Sequence, residues 1–232
     1  MNLYELAFTS HVYNAFTNYN ADYLRLLERT GPELNLEKAE HRQELIDWLN
    51  QWGCRQFALG YHSLASEEML AWHRSNFQEL VPGHKPLWDL TDSELFHVSE
   101  VFDSLVARTA SHKVRNGQEI TTTFGPTGAS KILFALRPHA MIAWDTPIRN
   151  KGKFLGNGGS YKNYLYRALE EIESLKRSCL KHDIELEEIP GLLERDNATV
   201  AQLVGEYFWV TITRECLPPT IETAAAWARW ST

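Results

Sequence analysis

Asp145 is the residue of this chain whose type and setting best suit chemistry. It closes a segment, Phe124 to Arg149, that reads FGPTGASKILFALRPHAMIAWDTPIR. Gly125 and Pro126 are a turn dipeptide, and Ala129, Ile132, Leu133 and Leu136 then recur at helical spacing until Pro138 stops the helix. After a short loop, Trp144 precedes Asp145, which stands as the N-cap of a second helix with Pro147 in its first turn. A lone carboxylate in a poorly hydrated site stabilises positive charge developing on a sugar ring, or orients the water that attacks it. The other task for such a residue is to cap a helix, worth about 0.5 to 2 kcal/mol without any catalysis.

The segment resembles the hairpin and catalytic-aspartate region of the helix-hairpin-helix DNA glycosylase superfamily. Members carry a Gly-Val-Gly-x-Lys-Thr-Ala type turn, a short apolar helix, and an Asp-Thr-His-Val type motif with an arginine close behind. Here Phe124-Gly125-Pro126-Thr127-Gly128-Ala129 matches the turn, Ile132 and Leu133 the apolar pair, and Asp145-Thr146-Pro147-Ile148-Arg149 the aspartate motif. Eighteen positions separate Thr127 from Asp145, similar to the family's interval between turn lysine and aspartate, and the resemblance spans about 26 of 232 residues.

The resemblance implies an all-α protein of two helical lobes whose cleft takes a base flipped out of duplex DNA; no cofactor and no metal are expected. Asp145 is then catalytic and Trp144 a wall of the base pocket, with Trp48, Trp52 and Tyr61 as further wall candidates. Backbone N–H groups of the turn from Gly125 through Thr127 and Gly128 to Ala129 hold a phosphate, and Lys131, Arg149, Lys151 and Lys153 lie along the DNA.

Two departures from the family pattern bear on the chemistry. Phe124 replaces the first glycine of the turn, and Thr127 stands where lyase-competent members place a Schiff-base lysine. The second departure implies a monofunctional hydrolase that removes a base without cutting the backbone. Lys131 lies four positions on, and helical side chains lean toward the N-terminus, so its amine approaches the space above Thr127. The altered turn also suits another role, a non-catalytic nucleic-acid or protein-binding module in which Asp145 only caps.

Composition narrows the field further. A chain of 232 residues, 44% hydrophobic and 12% aromatic, buries one large core or two small lobes. No apolar run approaches the roughly 18 residues of a membrane span, and MNLYELAFTSHVYNAF lacks the charged-then-apolar order of a signal peptide. A cytoplasmic protein is expected. Cys54, Cys179 and Cys216 are too few and too scattered for a disulfide framework, a four-cysteine cluster or paired zinc ligands. The nine histidines include no metalloprotease pair, and His139, nearest Asp145 in sequence, is placed near the pocket mouth.

The net charge of −7 opposes nucleic-acid binding, yet its distribution favours it. Residues 111 to 181 carry twelve Lys and Arg against five Asp and Glu, a local +7 beside −14 in the remainder. That suits one basic face on an anionic polymer.

The elements that must position these residues read as helices almost throughout. The pattern predicts helices from His11 to Arg29, Glu40 to Trp52, Glu67 to Arg74, and from the Thr91-Asp92-Ser93-Glu94 capping box to Ala110. Residues 111 to 123, with Asn116-Gly117 and a β-branched run, read as an extended approach that accommodates a small hairpin. The glycine-rich 151 to 160 segment reads as a loop, with Ser160 capping a long helix to Leu180. Glu185 to Glu194 reads as an acidic linker. Thr199 opens one more helix, and a Trp-rich tail with Trp227 and Trp230 is expected to dock on the core.

Overall fold

The computed structural model describes residues 1–229. It is mostly helical, as the periodicity predicts, with one two-stranded sheet. A capping box of Asn2 and Glu5 opens α1 (Leu3–Phe16). The single helix expected from His11 to Arg29 is broken, because Thr17 turns extended and its hydroxyl bonds back to the Tyr13 carbonyl at 2.9 Å, so α2 (Tyr19–Thr30) starts anew. The break brings the Tyr13 and Tyr19 rings to 6.3 Å.

Helices α3 (Ala39–Gln51), α4 (His62–Asn76) and α5 (Asp92–Val106) follow, α5 opening on the Thr91 and Glu94 capping box. Strands β1 (Thr109–Arg115) and β2 (Gln118–Thr123) pair antiparallel about Asn116 and Gly117, at φ +53° and +76°. The hairpin leads directly into α6 (Gly125–Leu136).

Beyond α6 come α7 (Thr146–Lys151), α8 (Gly158–Cys179), α9 (Ile189–Leu192) and α10 (Val200–Phe208), which continues as a π-helical turn, Trp209–Thr213, before α11 (Ile221–Ala228). In the packing, α2 and α4 flank α3, α5 lies between α6 and α8, and α1 lies along α10.

Further sequence expectations are corrected. Asn157, not Ser160, caps α8, accepting from the Ser160 N–H at 2.9 Å. The glycine-rich segment is packed there: a Cβ on Gly158 would come 1.9 Å from the Ser99 carbonyl, so only glycine lets α8 meet α5. The acidic stretch from Glu185 is no linker, since it forms α9 and the turn before it, which bury Leu186, Ile189 and Pro190. The tail does not dock, because α11 leaves Ile221 and Trp227 exposed; Trp230 lies outside the described residues.

Candidate functional site: an aromatic cavity beside Asp145

The chain is bent at Gly125, whose φ of +62° an L side chain adopts only under strain. The Gln56 amide clamps the turn by donating to the Phe124 carbonyl at 2.7 Å. From there α6 runs inward, with Gly128 and every residue after it to Leu136 buried.

Side-chain hydrogen bonds hold the chain returning from α6. Tyr161 and Tyr164 of α8 donate to the carbonyls of Ile142 and Ala143 at 3.0 and 3.3 Å. Ser130 Oγ accepts from the Trp144 N–H at 3.2 Å, and the Trp144 indole donates to the Pro126 carbonyl at 2.9 Å. Turn, helix and return loop are thereby one rigid piece ending at Asp145.

Asp145 is half-buried and caps α7, its Oδ1 accepting from the Ile148 N–H at 2.9 Å. Its Oδ2 accepts from the Thr213 hydroxyl at 2.8 Å. Thr213 stands on the π-helical turn, where the widened backbone changes which side chains face inward.

A cavity of about 280 Å³ opens against this carboxylate. Helix α6 contributes Thr127, Lys131 and Phe134, at helical i, i+4, i+7 spacing. Helix α10 and the π turn contribute Gln202, Gly205, Glu206 and Trp209 from one stripe. The α1–α2 joint gives Tyr13 and Tyr19, and the end of α3 gives Trp52. Three of these rings cluster, with Tyr19 at 5.7 Å from Trp52 and 6.0 Å from Trp209.

Lys131 is buried, donates to the Trp52 carbonyl, and places its amine 5.6 Å from the centre of the Trp52 ring. It reaches toward α3 as well as facing the cavity it shares with Thr127. The Lys131 charge also partly offsets the rise that burial imposes on the Cys54 thiol.

Behind Glu206, Arg195 donates to both carboxylate oxygens at 2.8 and 3.0 Å. Burial nevertheless pushes the Glu206 carboxyl above its ordinary range, against that pairing. Burial, reinforced by Glu206, also holds the Tyr13 phenol well above its usual value.

The remaining site candidates are dispersed. Trp144 borders the cavity, but its ring belongs to the core, 1% exposed among Phe102, Phe154, Tyr161 and Tyr164. The aromatic wall is made by Trp52 and by four rings not predicted from the sequence, Tyr13, Tyr19, Phe134 and Trp209. Trp48 is buried behind Trp52 at 4.3 Å, and Tyr61 lies against His112. His139 is exposed and away from the cavity lining.

Arg149 is half-buried over Trp144 at 5.9 Å and bonds Thr146, while its Nε has no hydrogen-bond partner. Burial lowers the guanidinium's affinity for its proton, and Asp145 opposes the shift. Lys151 and Lys153 are exposed, Lys151 lining a different, wider groove of about 690 Å³ between α7, α8 and α10. That groove is larger but holds neither Asp145 nor Lys131.

The basic segment is not one face. Lys131 points inward, Arg137 donates to the Val81 carbonyl, and Arg167 and Arg177 pair with glutamates of their own helix. Lys113 and Arg115, with Lys151 and Lys153, remain exposed.

Gln202, Glu206 and Trp209 were legible as an i, i+4, i+7 stripe of the helix that Thr199 opens. Tyr13 and Tyr19 carried no such signal, because the break at Thr17 sets their alignment. Among the described residues no group of His, Cys, Asp and Glu is arranged to hold a metal ion, and no helix is long and apolar enough to cross a membrane.

Set against family models, curated proteins and solved structures, the chain matches none.

Proposed function

We propose that the protein is a DNA glycosylase-like hydrolase, which takes a flipped base into the aromatic cavity and breaks its N-glycosidic bond beside Asp145. The observation that carries this reading is the shared cavity. A carboxylate, an ammonium group and a cluster of Tyr and Trp rings line about 280 Å³, at the small end of ligand pockets, which run from about 300 to 1,000 Å³. A flat heterocycle fits such a space and stacks on its walls.

In the proposed reaction the bond between base and sugar C1′ breaks, the electron pair leaves with the base, and Asp145 stabilises the positive charge left on the sugar until water adds there, its proton passing to the departed base. Fixed by Ile148 and Thr213, the carboxylate needs no reorganisation as that charge appears. The free N–H groups at the start of α6 and the exposed Lys151 and Lys153 would hold the phosphates. Thr127 in the position of the family lysine keeps the reaction monofunctional.

Asp145→Asn tests this. On duplexes carrying uracil, hypoxanthine or alkylated purines, base release by the wild-type chain is expected to fall at least about 100-fold, with DNA affinity equal or higher. A covalent adduct trapped by borohydride would replace the monofunctional reading with a Schiff base on Lys131.

A second reading is favoured by one specific observation. Both Asp145 oxygens are already engaged, by Ile148 and Thr213, as a purely structural cap requires. In a non-catalytic binding module no duplex releases a base, and Asp145→Asn changes only stability.

A further inference from the structure

We infer that Gln202 reads the ligand of the aromatic cavity by accepting a hydrogen bond from its edge, so that the cavity selects bases presenting a ring N–H or an amino group there. The inference rests on the nucleobase reading above and adds the edge by which a base is told apart.

Gln202 lines the cavity and is only 6% exposed. Its Nε2 donates to Glu206 Oε1 at 3.1 Å and lies 3.4 Å from Asn20 Oδ1. Both neighbours can only accept at those atoms. Glu206 holds the two hydrogen bonds from Arg195, and Asn20 Oδ1 takes a third from the same guanidinium at 2.9 Å.

The orientation of the Gln202 amide is therefore decided by its surroundings. Turned over, it would set a carbonyl oxygen against a carboxylate and a second carbonyl. With the amino end committed, Oε1 is left as a buried acceptor that has no hydrogen-bond partner. Such an atom is costly to leave unpaired, and its residue borders a cavity walled by Tyr19, Trp52 and Trp209. A planar ligand stacked there and carrying a donor on its edge satisfies it. A ligand whose edge is methylated, or presents only acceptors, leaves it orphaned and crowds it.

The test uses free bases, so it does not depend on catalysis or on DNA. Tryptophan fluorescence of the full chain is titrated with hypoxanthine, uracil and adenine, and with 1-methylhypoxanthine, 3-methyluracil and N6,N6-dimethyladenine. The expected result is that at least one parent base quenches the emission and that its methylated partner binds roughly 10- to 100-fold more weakly. Gln202→Met, checked for folding by circular dichroism, is expected to weaken the parent base to the level of its methylated partner and to erase the difference between them.

If a parent base binds but Gln202→Met binds it as well as wild type, or still discriminates the pair, the role of Gln202 is overturned while the cavity keeps its nucleobase reading. If none of the six binds the wild-type chain, the nucleobase reading itself fails and takes the inference with it. Should Gln202→Met not fold, the methylated pairs on the wild-type chain decide the matter: equal affinity within every pair overturns the proposal.

Discussion

A tryptophan and an aspartate that are neighbours in sequence have different surroundings in the fold. Trp144 is enclosed by aromatic rings from α5 and α8 and hydrogen-bonded to Pro126, whereas Asp145 caps α7 at the margin of the cavity. Truncating Trp144 leaves a large void in a close-packed region. Trp144→Ala is expected to cost about 3 to 5 kcal/mol in chemical denaturation. Trp52 is only partly buried and faces the cavity, so Trp52→Ala is expected to cost clearly less stability and, under the proposed function, to remove most of the fluorescence response to bases. A reversed order of the two destabilisations would show that Trp144, not Trp52, is the exposed wall. From sequence the two were hard to separate, because a tryptophan beside an aspartate looks the same whether its ring faces a ligand or the core.

At the level of elements, capping chemistry was the most legible feature. Thr91 and Glu94 form the reciprocal cap that their spacing predicts, and Lys85 adds an ion pair at 2.7 Å. The Lys85 ammonium and the Thr91 N–H hold the Glu94 carboxyl down at about 2 from an ordinary 4.5. Because the folded value is the lower one, the unfolded chain takes up the proton first as pH falls. The stabilisation is thus fully present above about 4.5 and is lost as pH drops toward 2. With solvent screening at this partly exposed site it amounts to about 1 kcal/mol. Glu94→Gln is expected to lower the melting temperature at pH 7 and to flatten its decline between pH 4.5 and 2; an unchanged acid limb would show that the pair contributes nothing. Breaks and packed glycines were less legible. The apolar spacing of Val12, Phe16, Tyr19, Tyr23 and Leu26 runs unbroken past Thr17, and the return of the Thr17 hydroxyl to Tyr13 accompanies the end of α1. Gly158 belongs to a run that reads as a loop, and its reason lies on α5, at Ser99.

Over the whole molecule, the charge asymmetry of the chain survives folding only in part. Several basic residues between 111 and 181 are spent on internal contacts or on pairs within α8, which leaves Lys113, Arg115, Lys151, Lys153, Lys176 and Lys181 exposed and dispersed over different elements. Four phosphate contacts correspond to a slope of about −3 to −4 in log affinity against log salt, and each lysine removed reduces it by about 1. If the protein holds DNA as proposed, Lys151→Gln with Lys153→Gln is expected to reduce the slope by about 2, measured by fluorescence anisotropy from low to physiological salt. A slope unaffected by the pair would exclude the α7 end from the proposed phosphate contacts.

Sequence by itself determined the local grammar of this protein: a glycine turn, an apolar helix that stops before proline, and an aspartate that opens the next helix. These depend on backbone conformation and on hydrogen bonds a few residues long, which residue type and spacing specify directly. Tertiary structure alone decided what surrounds the aspartate. The cavity is assembled from the α1–α2 joint, the end of α3, one stripe of α6 and one stripe of α10, positions up to about 200 residues apart. Their meeting depends on how whole helices pack, and on a chain of amide and carboxylate contacts running from Arg195 through Glu206 to Gln202 that no short-range pattern encodes.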